Sequence, residues 1–196
     1  MHRLICLLLL LSSGNLLANE RERLAEAAFS PYRQVADSRL QRQNQALLNY
    51  LWIDVYAAAL YTEPGISPRQ AVGNNYRQRL ELYYFRAIDR GDVIKAAWIT
   101  LERQQPAAQL ARLRQEIEAL HSHFADIQPG DRYSLEYSGT AGLSLERNGE
   151  PLFRSQNAEL AHAYLGIWLG QDGLSDSLRE QLLGAAQPQA ARVLNQ

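Results

Sequence analysis

The stretch LNYLWIDVYAAALYTEPG, residues 48–65, decides the fold. Apolar and aromatic side chains fill it as far as Thr62, and Pro64-Gly65 ends it as a turn. Successive side chains of a strand point to opposite faces of the sheet. One face would carry Leu51, Ile53, Val55, Ala57 and Ala59, and the other Trp52, Tyr56, Ala58 and Leu60. Because both faces are apolar, the stretch predicts a central strand.

Residues 77–88 show a similar pattern. Leu80, Leu82 and Tyr84 would lie on one face of a second central strand, and Tyr83 and Phe85 on the other. Asp89 follows at the position of a helix N-cap, with Asp92 placed to complete a capping box. The apolar spacing from Ile94 to Leu101 then predicts a helix.

The second half of the chain continues with helices and strands. An apolar stripe from Leu110 to Ile127 predicts a helix of about five turns, packed on the sheet or forming a coiled-coil seam. Alternation around Tyr133 to Tyr137 predicts a strand, and Asn148-Gly149 predicts a hairpin turn. Asn157 and Ser175 would each begin a further helix. The fold class expected is α+β: a mostly antiparallel sheet with a layer of helices on one face.

The first eighteen residues read as a secretory signal. A short cationic start precedes an apolar run from Leu4 to Leu11, and cleavage is expected after Ala18. The run is far shorter than the roughly twenty residues of a membrane span. We therefore expect a periplasmic or secreted protein with no transmembrane segment in the mature chain. The expected organisation is a signal peptide at 1–18, an N-terminal helix or extension at 19–38, one domain at 39–184 and a tail at 185–196.

Composition narrows the possible functions. Twenty basic and 21 acidic residues give a net charge of −1, which argues against nucleic acid as a partner. The one cysteine, Cys6, lies in the signal, so the mature chain would have no thiol chemistry. His121 and His123 would point in different directions on a helix, which argues against a metal site. Phosphate-binding loops, dinucleotide fingerprints and the nucleophile elbow have no match in the sequence. No cofactor and no catalytic residue is assigned.

The aromatic residues of the two predicted central strands form the one candidate site. The pattern would bring Trp52, Tyr56, Tyr83 and Phe85 to one side of the sheet, with Arg86 and Arg79 nearby. Aromatic cavities with a few polar groups hold small apolar ligands. The alternative is that these rings form ordinary core beneath the helices.

The sequence resembles the chalcone isomerase-like family. The resemblance starts at residues 48–65 and continues through RLELYYFRAIDRGDVIKAAW at 79–98, Gly130-Asp131, Asn148-Gly149 and Ile167-Trp168-Leu169-Gly170. It spans the chain from near Arg39 to Gly184. It implies an open-faced β-sandwich, in agreement with the pattern. Plant enzymes of the family close the flavanone ring of a chalcone, whereas non-catalytic relatives bind fatty acids.

The resemblance also implies where polar groups would lie. Counting back from Tyr56, the family's arginine falls on Arg39, or on Leu48 if the hairpin is shorter. Its strand threonine falls on Leu51, and its tyrosine and asparagine fall near Asp89 and Ala96. Most of the hydrogen-bonding groups that would stabilise a developing oxyanion are therefore not matched.

These observations favour a non-catalytic protein that binds a small apolar or amphiphilic molecule such as a fatty acid. The expected ligand contacts are Arg39, Leu51, Trp52, Tyr56, Tyr83, Phe85 and Arg86. An isomerase or intramolecular lyase that uses Tyr56, Tyr83 or Arg86 is the first alternative. A cell-envelope interaction module with a filled core is the second. A cavity of several hundred Å³ between sheet and helices would favour ligand binding over a filled core.

Overall fold

A computed structural model describes residues 19–35, 37–74 and 76–184. The predicted signal peptide at 1–18 and tail at 185–196 lie outside these ranges. Residues 19–27 form the predicted N-terminal helix, α1. Within the described ranges, every helix is too short or too polar to cross a membrane.

Seven strands form one sheet in which each strand pairs antiparallel with its neighbours in sequence. Their spatial order is the chain order. The strands are β1 (Tyr32–Val35), β2 (Ser38–Tyr50), β3 (Ile53–Thr62), β4 (Gln78–Tyr84), β5 (Arg132–Ser138), β6 (Gly142–Arg147) and β7 (Glu150–Ser155). The sheet confirms the expected α+β fold class.

The helices after α1 connect or follow these strands. They are α2 (Pro68–Gly73), α3 (Arg90–Gln104), α4 (Ala107–Ser122), α5 (Ala158–Leu169) and α6 (Asp176–Leu183). The predicted N-cap Asn157 is confirmed, because its side chain accepts from the backbone of Glu159 and Leu160. Ser175, where the last helix was predicted to start, is the N-cap of α6 and accepts from Leu178. The helix layer is therefore anchored by local sequence signals.

One face of the sheet packs on helices α3 to α6. In β4 and β5, alternate residues point to this face and are buried in the main hydrophobic core. They are Leu80, Leu82 and Tyr84 in β4, and Tyr133, Leu135 and Tyr137 in β5. The stripe of α4 faces the same core through Leu110, Leu113, Ile117 and Leu120, so the prediction of a core-facing helix is confirmed. The helix ends at Ser122, one turn earlier than its apolar spacing indicated.

The opposite face carries a smaller apolar cluster and a set of charges. Ala57, Ala59 and Tyr61 of β3 pack there against Ala27 and Phe29, at the end of α1 and just beyond it. The rest of this face is polar. The two faces thus differ in chemistry although the same strands build both.

Glu81 organises the polar face. Its carboxylate is fully buried and accepts hydrogen bonds from Arg33 at 2.6 and 2.8 Å and from Arg132 at 2.6 Å. The Nε of Arg79 lies 3.7 Å from it, and another nitrogen of Arg79 contacts Glu146 at 2.7 Å. One buried acid on β4 thereby ties β1 to β5 across the sheet.

The pKa of Glu81 reflects this arrangement. Burial of the carboxyl would raise it, but the hydrogen bond from Arg33 and the charges of Arg33, Arg132 and Arg79 outweigh burial and hold the pKa below its usual 4.5. The ionised carboxylate therefore stabilises the fold above pH 4.5, and this contribution is lost as the pH falls through the lower folded pKa.

The predicted single strand at residues 48–62 is wrong in one respect. It contains the end of β2, a two-residue turn and the start of β3. Leu51 and Trp52 form the turn, with φ of +47° and +68°. Neither residue is of the type such a turn favours, so no local signal marked it. By contrast, Asn148-Gly149 has positive φ at both residues and makes the predicted turn between β6 and β7.

The predicted capping box at the start of α3 is also wrong. Asp89 occupies the N-cap position, but its side chain makes no capping hydrogen bond. The backbone N–H of Arg90 donates instead to Asp126 at 2.9 Å. A bridge between Ile88 and Ile127 brings Asp126 to this helix end, so a tertiary contact replaces the local one.

Glu81→Gln should reduce the free energy of unfolding by about 3 kcal/mol near pH 7, because it leaves the partly buried guanidinium groups of Arg33 and Arg132 without their counter-ion. Urea unfolding measures the change, which should shrink below pH 4.5. Glu118→Gln is the matched control: Glu118 pairs with Arg114 at 3.4 Å, but both side chains are more than half exposed. Its cost should stay below about 0.5 kcal/mol. Equal costs for the two variants would contradict a central role for Glu81.

Candidate functional site

A cavity of about 750 Å³ lies between the sheet and the helix layer. Strands β3, β4 and β5 form its floor, and helices α3 and α5 form its roof. The floor includes Leu80, Leu82 and Leu135, and the roof includes Ala97 and Ile167. Its size is within the range of small-molecule binding sites.

Four tyrosines and a tryptophan contribute phenol hydroxyls and an indole N–H to the buried part of the cavity. They are Tyr56 of β3, Tyr84 of β4, Tyr133 of β5, and Tyr164 and Trp168 of α5, here called the tyrosine cluster. The rings of Tyr56 and Tyr84 lie 5.3 Å apart, and those of Tyr84 and Tyr133 6.2 Å apart. All five residues are at least nine-tenths buried.

One hydrogen bond joins the floor of the cavity to its roof. The Trp168 Nε1–H donates to the Tyr56 hydroxyl at 3.0 Å. The Tyr133 hydroxyl is also buried, and the backbone of Ala125 lies close enough to lower its pKa against the larger effect of burial. No acceptor for its proton is found among the described residues, so it can donate to a polar atom of a bound molecule.

The cluster hydroxyls are neutral under physiological conditions. Burial raises the pKa of Tyr56, against a smaller effect of the hydrogen bond from Trp168. Burial also raises the pKa of Tyr84 and of Tyr164 well above 10. A phenol that stays protonated donates a hydrogen bond but does not act as a base at neutral pH.

The cavity opens at one end. The exposed residues of its lining mark this opening, here called the mouth: Asn49 and Tyr50 at the end of β2, Asp92 at the start of α3, and Leu174 before α6. Asp92 is the only charged side chain among the described lining residues. A bound molecule would therefore meet apolar and aromatic groups inside, and solvent with one carboxylate at the mouth.

His121 lies behind the roof. Its imidazole is 3% exposed, and neither ring nitrogen has a hydrogen-bond partner. Aromatic rings surround it, with centroids of Trp98, Phe124 and Tyr164 at 5.6, 6.0 and 5.7 Å. Burial, together with the charge of Arg90, lowers the pKa of His121 to about 4. The ring is thus a neutral part of the core at pH 7.

The structure separates the aromatic residues that the sequence pattern placed together. Tyr56 pairs with Tyr84 across β3 and β4 and faces the cavity. Tyr83 and Phe85 lie on the opposite face, where their rings contact each other at 5.3 Å. The one-face placement was wrong because Tyr56 and Tyr83 have opposite orientations in the observed register.

Trp52 and Leu51, which were predicted to contact the ligand, also lie away from the cavity. They form the β2–β3 turn and are 95% and 71% exposed. Arg86 is exposed after β4, and Arg39 lies over the Tyr32 ring at 3.8 Å. None of these four residues lines the cavity.

The resemblance gave two positions for the family's arginine, Arg39 and Leu48, and only Leu48 reaches the cavity. Leu48 lies opposite Tyr56 in β2 and lines the cavity wall. Tyr84, Tyr133 and Tyr164 line the cavity although they were not predicted as site residues. The alternation in β4 and β5 placed Tyr84 and Tyr133 on the same face as the leucines of these strands. That face, and not the face of Tyr83, borders the cavity.

The described residues contain no group of three or more His, Cys, Asp or Glu side chains that could hold a metal ion. The cavity can enclose the apolar surface of a bound molecule, and its neutral phenols can donate hydrogen bonds to that molecule. Both favour holding a mostly apolar molecule with a weakly polar group.

Comparisons with known proteins agree with this architecture. A family model described as chalcone isomerase-like matches residues 21–184. The crystal structure of a fatty-acid binding protein from Arabidopsis thaliana is similar, with a TM-score of 0.57 and 16% sequence identity over 79% of this chain and 90% of that chain. At this identity the likeness shows the fold alone. A search of curated proteins finds no match.

Acidification should weaken the fold through His121. Its pKa rises from about 4 in the folded protein to about 6.5 in the unfolded chain, so the unfolded chain binds more protons between these values. The free energy of unfolding should fall by up to about 3 kcal/mol across this window. His121→Leu should remove that part of the pH dependence, as measured by urea unfolding.

His123→Leu is the control, because His123 is exposed at the end of the same helix. Its pH profile should match that of the parent protein. Parallel profiles for His121→Leu and the parent would show that the buried imidazole does not couple protonation to unfolding.

Proposed function

Because the chain belongs to the chalcone isomerase-like family, we propose that it is a non-catalytic member that binds a small, mostly apolar molecule in the cavity between sheet and helices. The observation that carries this proposal is the cavity itself. About 750 Å³ of space, enclosed by leucines, alanines and the tyrosine cluster and open at one end, is unlike a filled core.

The side chains that line the cavity favour ligand binding over catalysis. Ring closure by the family's enzymes needs a cation and donors near the developing negative charge. Asp92 is an acid, and the other described lining residues contribute no cation. The hydroxyl of Tyr56 accepts a hydrogen bond from Trp168, and burial keeps this phenol protonated.

An amphiphile such as a fatty acid fits the cavity with its tail inside. The apolar interior favours an alkyl or ring system, whereas a carboxylate buried there would lack a cationic partner. The acid group therefore stays at the mouth, where Asn49 and Tyr50 are exposed. The fatty-acid binding protein that shares this fold supports the ligand class.

We also propose that the protein is exported, on the support of the signal-like pattern at residues 1–18. The mass of the protein recovered from its host should then correspond to a chain that begins at Asn19. A chain that retains its first eighteen residues would contradict cleavage of a signal.

Long-chain alkyl ligands should bind saturably, and a neutral fatty alcohol should bind at least as tightly as the fatty acid of equal length. Titration followed by calorimetry measures both. Ala96→Phe should weaken binding at least about tenfold, because the added ring occupies the cavity. Lys95→Phe adds the same ring to the exposed side of α3 and is the matched control.

Arg39→Ala should also leave affinity unchanged, since Arg39 is not part of the described cavity wall. Absence of saturable binding for both ligands would contradict the proposal. So would turnover of a chalcone-type enone that is lost in Tyr56→Phe, since it would show that the cavity is catalytic.

A further inference from the structure

The turn between β2 and β3 exposes four consecutive apolar or aromatic side chains, Tyr50, Leu51, Trp52 and Ile53, here called the hairpin tip. Their exposed fractions are 68%, 71%, 95% and 44%. Single exposed apolar residues are common on protein surfaces, but a contiguous exposed group marks an interaction site. The described core gains almost nothing from Trp52.

The backbone does not account for these residues either. Leu51 and Trp52 both adopt positive φ, a conformation that bulky side chains rarely take. Such turns favour Asn-Gly, and this chain uses Asn148-Gly149 for the same purpose between β6 and β7. At the hairpin tip, therefore, bulky apolar side chains are present in spite of the turn geometry.

The residues of the hairpin tip suit a lipid surface. Tryptophan and tyrosine are the side chains enriched at membrane–water interfaces, and leucine and isoleucine enter the acyl region. A second copy of the chain is a poorer partner, because a stable protein interface needs about 800 Å² from about 20 to 30 residues on each side. Four side chains provide much less.

The charges around the hairpin tip include both signs. Asp54, at the start of β3, is bound by Arg23 at 2.9 Å and by the side-chain amide of Asn49. Arg23 also pairs with Glu26 at 2.8 Å, so it offsets the charge of Asp54 only in part. Phe85 donates a backbone hydrogen bond to Val55 at 3.0 Å. This bond places the next residue, Arg86, at the same end of the sheet as the hairpin tip, and the Arg86 side chain is exposed.

We propose that the hairpin tip inserts into the interfacial region of a lipid bilayer, with Arg86 facing the phosphate headgroups. The cavity mouth includes Asn49 and Tyr50, so a docked tip places the mouth against the bilayer. The proposal depends on the geometry of the tip and does not require that the cavity holds a ligand.

The test uses the full chain and vesicles of phosphatidylcholine and phosphatidylglycerol. In the double variant Leu51→Asn, Trp52→Gly, the apolar tip becomes a favoured turn, so folding should be preserved. Its partitioning should fall at least about tenfold below that of the parent, as measured by vesicle sedimentation. Ile99→Ser, which removes an exposed apolar side chain from α3, should partition like the parent.

The fluorescence of Trp52 measures how deeply the hairpin tip enters the bilayer. Vesicles should shift its emission to shorter wavelength, and lipids brominated on the acyl chain should quench it. The buried Trp168 and partly buried Trp98 remain in the double variant, so subtraction isolates the Trp52 signal. Unchanged melting of the double variant confirms that the loss is not caused by unfolding.

Three outcomes would overturn the proposal. The double variant partitions as well as the parent; the chain binds vesicles through residues 1–18 while Trp52 stays unquenched; or Trp52 is buried without vesicles in a dimer that the double variant loses. The Ala96→Phe variant separates this proposal from the ligand proposal, because it should still bind vesicles although its cavity is filled.

Discussion

The register of β3 between β2 and β4 is the constraint on which the rest of the structure depends. It places Leu48, Tyr56 and Tyr84 on one face, toward the helices. It leaves Ala57, Ala59 and Glu81 on the other. A shift of β4 by one residue against β3 would turn the Glu81 carboxylate toward α3 and α5 and the leucines of β4 toward the arginines. The observed alignment is the one that satisfies both faces.

The two faces of the sheet bury their side chains in different ways. On the polar face, Arg33, Arg79 and Arg132 converge on Glu81, so charges removed from water are mutually compensated. On the apolar face, a cavity is left between the sheet and the helices, and buried phenols line it. Unfilled volume bordered by a few polar groups is typical of a site that receives a molecule.

Most of the fold could be predicted from local signals. Alternation gave β4 and β5, Asn148-Gly149 gave the last hairpin, and Asn157 gave the start of α5. The site was harder to predict because it depends on how strands align across a turn. Leu51-Trp52 carries no turn signature, so β2 and β3 merged in the sequence pattern, and Tyr56 was grouped with Tyr83 instead of Tyr84. The capping box predicted for α3 was wrong for a similar reason, since Asp126 reaches this helix end from a distant part of the chain.

The consecutive order of the strands also affects how the chain folds. Within β1–β4 and within β5–β7, each strand needs only the segment made just before it, so loop closure is short. The pairing of β4 with β5 is the exception, since it joins Tyr83 to Arg132 across the whole of α3 and α4. The contact-order rule makes closing this large loop the step expected to be slow. On that expectation, the two groups of strands can form before the sheet is complete, the helices pack on it and the cavity exists.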